Sequence, residues 1–180
     1  MLLRFSEGVG EYADQVRAIL RSVDEEFVPP LSSRSGTAEV DDLGGDEGSG
    51  IDSYFQACLD QQFLFAETDD ELVGVLSYRH RYTPPFLRRF SPSNYPTILA
   101  VRREWRNEGV GTALYRTFLF DLPPAYRLPY VVARTWNENV RSIRLHEKFG
   151  FDRVHTIPNH RAPGVHTVYF AKALSPHDGE

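Results

Sequence analysis

Cysteine is almost missing from this sequence. Cys58 stands alone among 180 residues, which excludes an intrachain disulfide and a zinc site built on cysteine pairs. Long apolar runs are missing as well, and none approaches the ~18–20 residues that a membrane-spanning helix requires. The opening residues, Met1-Leu-Leu-Arg-Phe-Ser-Glu-Gly, lack a basic stretch followed by an apolar one. A secretory leader is therefore not expected, and a cytoplasmic protein is. There is no internal repeat and no run of basic residues. With a net charge of −5, broad nucleic-acid binding fits poorly. What is present is a hydrophobic share of 41%, enough for one core in one domain over residues 1–180.

The charge is unevenly spread. Residues 24–71 hold fourteen acids and one base, Arg34, whereas residues 72–180 hold eight acids and sixteen bases. An acidic front and a basic back suit a polyanion on one side and a cationic acceptor on the other, although solvated faces alone would give the same pattern.

Hydrophobic periodicity gives the element order. Leu2–Ser6 reads as a strand, and Val9, Tyr12, Ala13, Val16, Ile19, Leu20, Val23 and Phe27 recur at helical steps until Pro29-Pro30. Residues 32–50, rich in Ser, Gly, Asp and Glu, read as a mobile loop. A short helix near Ser53–Gln61 precedes two strands, Gln62–Thr68 and Leu72–Tyr82, paired through a turn at Asp69-Asp70. A strand over Tyr95–Val101, a helix from Gly109 to Phe120 and a strand over Tyr130–Thr135 follow. Asn139 opens a helix that ends at Gly150, where glycine suits the left-handed position beyond the last turn. Strands near Arg153–Ile157 and Val165–Lys172 finish an α/β (α+β) arrangement, a meander first and crossovers later.

The sharpest local signal is Arg106-Asn107-Glu108-Gly109-Val110-Gly111-Thr112, set between a strand and a helix. Two glycines let a ligand approach the backbone, and the first helical turn offers unpaired N–H groups backed by the helix dipole. That is phosphate-binding chemistry, with the Thr112 hydroxyl and the Arg106 cation beside it. A dinucleotide fingerprint would need glycine where Leu114 stands, and a P-loop would need Gly-Lys-Ser/Thr, so both fail.

The wider stretch Ile98-Leu-Ala-Val-Arg-Arg-Glu-Trp-Arg-Asn-Glu-Gly-Val-Gly-Thr-Ala-Leu resembles the acetyl-CoA motif of the GNAT superfamily of N-acetyltransferases. Asn139-Val-Arg-Ser-Ile-Arg-Leu-His-Glu-Lys-Phe-Gly-Phe resembles that family's second signature, in the variant usual among phosphinothricin acetyltransferases. The resemblance implies a mixed, largely antiparallel central sheet with two splayed parallel strands, flanked by helices. It implies acetyl-CoA as cosubstrate, no metal, and acetyl transfer to a primary amine by direct attack. The acceptor would be a small molecule or peptide amine, and a homodimer is open by family habit.

Placed on this sequence, the resemblance puts the pantetheine arm on Leu99, Ala100 and Val101. It puts the pyrophosphate on Arg106, Asn107, Glu108, Gly109, Val110, Gly111 and Thr112, with Asn139 on the arm as well as capping its helix. His146 stands where many members have a tyrosine that protonates the departing thiolate. An imidazole can do this near neutral pH, or it can simply pack beside the sulfur. The family's usual Glu base has no counterpart on Tyr95–Val101, which leaves Tyr95, His80, Glu67 or a water chain. That gap motivates the alternative of a catalytically silent acyl-CoA-binding regulatory or interaction protein. His155, His160 and His166 have no acidic partner at a useful step for a metal. Arg79, His80, Arg81, Arg88 and Arg89 read as exposed.

Overall fold

Leu2–Ser6 forms the first strand, β1, and Ala13–Val23 the first helix, α1, in the computed structural model, which describes residues 1–37, 39, 43, 50–69 and 71–175. The chain continues through α2 (Gly50–Gln56), β2 (Gln62–Thr68), β3 (Glu71–Arg79) and β4 (Ser93–Val101). It ends with α3 (Val110–Phe120), β5 (Tyr130–Trp136), α4 (Val140–Lys148), β6 (Asp152–Ala162) and β7 (Val165–Ala173). The order is the expected one. The final hairpin is longer than its apolar pattern suggested, because β6 runs on through an irregular polar stretch and pairs with β7 again at Ala162↔Val165.

The seven strands form one sheet in the order β1-β2-β3-β4-β5-β7-β6. Every neighbouring pair is antiparallel except β4 and β5, which run parallel and pair only at Ser93↔Tyr130 and Asn94↔Val131. Beyond that point Pro96 has no N–H to give, and the register against β3 shifts so that Thr97 is an extra residue. The two strands diverge and a gap opens inside the sheet.

Helices cover both faces. Leu64, Val73, Leu76, Leu114, Phe118, Val131 and Val168 form the core beneath α3. Val16, Ile19, Leu20, Tyr54, Phe63, Phe65, Val75 and Ile98 form the core beneath α1 and α2. This explains the unbroken apolar runs of β2 and β3, since a strand buried on both faces loses the apolar–polar alternation. Gly74 matters here. A Cβ on it would meet Val110 Cγ1 at 2.9 Å and Leu114 Cδ1 at 3.1 Å, so glycine lets α3 lie directly on β3.

The expectation of a loose loop from residue 32 needs correction. Leu31, Arg34 and Thr37 are buried, and Leu31–Ser33 make a 3-10 turn. Thr37 Oγ1 accepts from Gln61 Nε2 and Arg79 Nε, both at 2.9 Å. These polar anchors tie the segment to the sheet, and composition alone did not reveal them. Residues 38, 40–42 and 44–49 of that expected loop, and Asp70 of the expected turn, lie outside the described residues. Among the described residues, no helix is long and apolar enough to cross a membrane.

Candidate active site

The gap between β4 and β5 is the mouth of a cleft of about 580 Å³ that passes through the sheet. Its walls on the α3 and α4 side include Leu99, Val101, Gly109, Val110, Gly111, Thr112, Tyr115, Asn139 and His146. The other side is built by Phe27, Arg34, Arg134, Trp136 and Arg161. The division follows strand alternation: Ala133 packs in the core beneath α3, so its neighbour Arg134 points to the opposite face.

At the start of α3, Gly109 takes φ +82°, a left-handed conformation that L side chains rarely adopt. Asn107 is also left-handed, at φ +68°. No side chain caps the helix, and Ala113 N–H makes the first intrahelical bond, to Gly109 O at 2.9 Å. The N–H groups of Val110, Gly111 and Thr112 are therefore left for a ligand. Gly111 needs neither a special φ nor tight packing, since a Cβ there would lie 3.7 Å from Val101 Cγ2 and 3.9 Å from Leu99 Cδ2. Its missing side chain instead keeps the cleft floor open.

Arg102 N–H donates to Val73 O at 2.9 Å, which fixes the phase of β4. By alternation Ala100 also bonds toward β3, while the N–H groups of Leu99 and Val101 face the gap. Arg106 is held fast, but it is not a free cation. Its Nε donates to Val101 O at 3.0 Å, and its two terminal nitrogens each lie 3.0 Å from a carboxylate oxygen of Glu26. Glu108 is exposed and does not line the cleft. Asn139 caps α4, its Oδ1 accepting from Ser142 N–H at 3.2 Å, and its side-chain NH₂ makes no hydrogen bond among the described residues.

His146 is buried and lines the cleft from α4. Nδ1 donates to Ser142 O at 2.7 Å, and a carbonyl can only accept, so the proton sits on Nδ1. Nε2 is buried with no partner. The ring stacks on Phe170 at 4.7 Å and meets Tyr115 and Phe151 edge-on. Burial pushes the pKa down to about 4, against a small opposing effect of the Ser142 carbonyl. With its proton on Nδ1 and its charged form disfavoured by burial, His146 is a neutral ring at the cleft wall near neutral pH.

The sequence missed Tyr115, whose hydroxyl is buried without a partner at the same cleft wall. Burial raises its pKa far above the ordinary phenol value, so the O–H stays intact. It also missed Arg34, Arg134 and Arg161. Arg134 alone left a trace, a charge inside the apolar run Val131-Val-Ala-Arg-Thr.

None of the three side chains considered as a base lines the cleft. Tyr95 is fully buried and its pKa is pushed well up by that burial. His80 bonds Asn94 Oδ1 through Nδ1 at 2.9 Å, and Glu67 faces Arg4 on the far side of the sheet order. The expected acidic attraction for a cation also changes. Among the described residues Glu26 is the acid lining the cleft and is bound to Arg106, Glu39 Oε1 accepts from the Tyr82 hydroxyl at 2.9 Å, and Asp52, Asp60 and Glu71 pair with arginines elsewhere. Asp41, Asp42, Asp46 and Glu47 lie outside the described residues. His160 and His166 are spent on hydrogen bonds within the β6–β7 hairpin.

Comparison with known proteins gives a consistent picture. The model of the acetyltransferase (GNAT) family matches residues 22–151. An N-alpha-acetyltransferase of Sulfurisphaera tokodaii is 26% identical over 115 residues, 62% of this chain and 69% of that protein. The ribosomal-protein-alanine N-acetyltransferase of Brucella melitensis superposes with a TM-score of 0.69 at 18% identity, over 97% of this chain and 100% of that one. An acetyltransferase of Salmonella typhimurium, solved with its cofactor acetyl-CoA, superposes with a TM-score of 0.66 at 17% identity, over 98% and 95% of the two chains. At these identities the superpositions establish the fold.

Proposed function

Because the chain belongs to the acetyltransferase (GNAT) family, we propose that residues 1–180 act as one domain that transfers an acetyl group from acetyl-CoA to a primary amine in this cleft. The observation that carries the reading is the cleft through the splayed strands, with three uncapped N–H groups at one end and an unpaired strand edge along its wall. The N–H groups of residues 110–112 take the pyrophosphate. The open edge at Leu99 and Val101 takes the pantetheine amides as an added strand would, and the Asn139 amide bonds the same arm.

The neutral amine attacks the thioester carbonyl carbon, so a C–N bond forms as the C–S bond breaks. The proton lost by nitrogen ends on sulfur, giving amide and free thiol. A backbone N–H on the open edge of β4 polarises the carbonyl oxygen. Tyr115 donates a hydrogen bond to sulfur as charge builds there, and His146 Nε2 accepts from the new S–H. Two unpartnered groups, one donor and one acceptor, suit a leaving group that changes from thiolate to thiol. The amine must arrive unprotonated, because the described residues supply no unpaired carboxylate to the cleft. An α-amine fits this better than a lysine side chain near ~10.4. The same lack of a base favours a second reading, a CoA-binding regulatory protein, which predicts tight binding without thiol release.

Calorimetric titration with acetyl-CoA tests the first half. Wild type should bind saturably and Gly111→Glu should not, since its carboxylate would stand in the phosphate cradle. Thiol release with a panel of amines tests the second half. Tyr115→Phe should lower kcat by about 10-fold or more with the acetyl-CoA Kd unchanged. Equal binding by Gly111→Glu would overturn the placement.

A further inference from the structure

Arg34, Arg134 and Arg161 come from three separate parts of the chain and meet on the cleft side opposite α3 and α4. Each is held by neutral groups. Arg34 is only 5% exposed, and it donates to Pro29 O from Nε at 3.1 Å and from Nη2 at 2.9 Å. Arg134 Nη1 donates to the backbone oxygen of Glu39 at 2.7 Å, and its Nη2 is buried with no partner. Arg161 donates to Val28 O at 2.6 Å and to Thr167 Oγ1 at 3.0 Å, and lies 5.3 Å from the Trp136 ring.

None of the three makes an ion pair among the described residues. The buried hydroxyls of Tyr54 and Tyr169 lie beside Arg34 and Arg134 without a well-aligned hydrogen bond, and Tyr95 adds a third unpartnered hydroxyl. Burial first, then the charges of Arg34 and Arg134, pushes Arg161 down to about 9.

One buried and two half-buried guanidiniums, with no ion pair among the described residues, are a costly arrangement that one bound anion would relieve. The guanidinium forks are already oriented by their backbone bonds, so binding orders little further, and their geometry matches a carboxylate. The phosphate cradle of α3 lies on the other side of the sheet gap, so this anion belongs to the second reactant. We propose that Arg34, Arg134 and Arg161 form a carboxylate-binding subsite, and that the acceptor is a small amine carrying a carboxylate, such as a free amino acid. The proposal rests on the acetyl-transfer reading of the cleft. A peptide N-terminus presents a neutral amide where a free amino acid presents its charge, and would leave the cluster unpaired.

The test uses the full chain and acetyl-CoA, with free L-amino acids, their carboxamides and short peptides as acceptors. The best amino acid should exceed its carboxamide in kcat/KM by about 10- to 100-fold, the range for a hydrogen-bonded charge. Arg161→Gln and Arg134→Gln should abolish that preference while the acetyl-CoA Kd stays as in wild type. Equal turnover of acid and amide, preference for a peptide, or a matching loss of acetyl-CoA affinity in the variants would each overturn the proposal. Succinate, which has no amine, separates the two readings through the melting temperature. A rise that Arg161→Gln lacks, with no thiol release from any amine, would sustain the anion subsite and overturn transfer. No rise and no acid preference would remove the subsite. Because Arg161→Gln could itself loosen the fold, Arg134→Gln serves as the second variant in every arm.

Discussion

Gly111→Ala is expected to move stability and cofactor affinity in opposite directions. Gly111 lies in the first turn of α3 with no positive φ, and a Cβ there would stand 3.7 Å from Val101 Cγ2 and 3.9 Å from Leu99 Cδ2, ordinary contact distances. The folded protein therefore accepts alanine without strain. Alanine also restricts the unfolded chain, so the variant should gain about 0.5–1 kcal/mol. For a chain of this size that raises the melting temperature by roughly 1–4 °C. The new methyl points into the cleft floor, where it holds a phosphate away from the N–H groups of the first turn. Losing one hydrogen bond to a charged group costs about 1.5–3 kcal/mol, or roughly 10- to 100-fold in Kd. Gly109→Ala is the contrast. It forces alanine to φ +82° and should lose about 1–2 kcal/mol of stability although nothing lies within 4 Å of its Cβ. Thermal melts and calorimetric titration with acetyl-CoA read both effects. A Gly111→Ala protein that binds as tightly as wild type would falsify the claim that this glycine exists for a ligand.

Three further outcomes follow from the same geometry. His146 has a folded pKa near 4, below the unfolded value near 6.5, so the unfolded state takes up protons first as pH falls. Stability present above about pH 6.5 should therefore be lost toward pH 4, by about 2 kcal/mol at pH 5, and urea unfolding of His146→Phe should lack that contribution. Gly74→Ala should destabilise by about 1–3 kcal/mol in chemical denaturation, because its methyl meets Val110 Cγ1 at 2.9 Å and α3 must move off β3. Glu26→Gln should change stability by less than about 1 kcal/mol, since the Glu26 carboxylate is 40% exposed. It should also tighten acetyl-CoA binding a few-fold, because Arg106 stays on Val101 O with its charge no longer matched. Unchanged or weaker binding would refute that role for Glu26.

Much of the fold was legible because its signals are local. The glycine at 150 ends α4 as expected: Gly150 takes φ +71°, and the N–H groups of Gly150 and Phe151 bond back to Glu147 O and His146 O at 3.0 Å. The glycine turn at the start of α3 was legible for the same reason, since glycines at a helix start act through backbone atoms a few residues apart. The burial of Arg34 and Thr37 within the expected loop was not legible, because the anchors Gln61 and Arg79 lie far along the chain.

The arginine cluster shows where sequence reading stops. Arg88 and Arg89 stood out as a pair in sequence, yet neither lines the cleft, while three scattered arginines converge on it. His146 makes the same point for chemistry. Its motif position follows from the sequence, but its charge depends on Phe170, Tyr115, Phe151 and the Ser142 carbonyl around it. The order of elements, the helix ends and the backbone cradle belong to the sequence alone, because propensity, capping and turn chemistry act over a few residues. The gap in the sheet, the protonation of His146 and the gathering of three arginines on the far side belong to the tertiary structure. Desolvation and charge pairing depend on which distant segments are brought together, and the sequence does not show those distances.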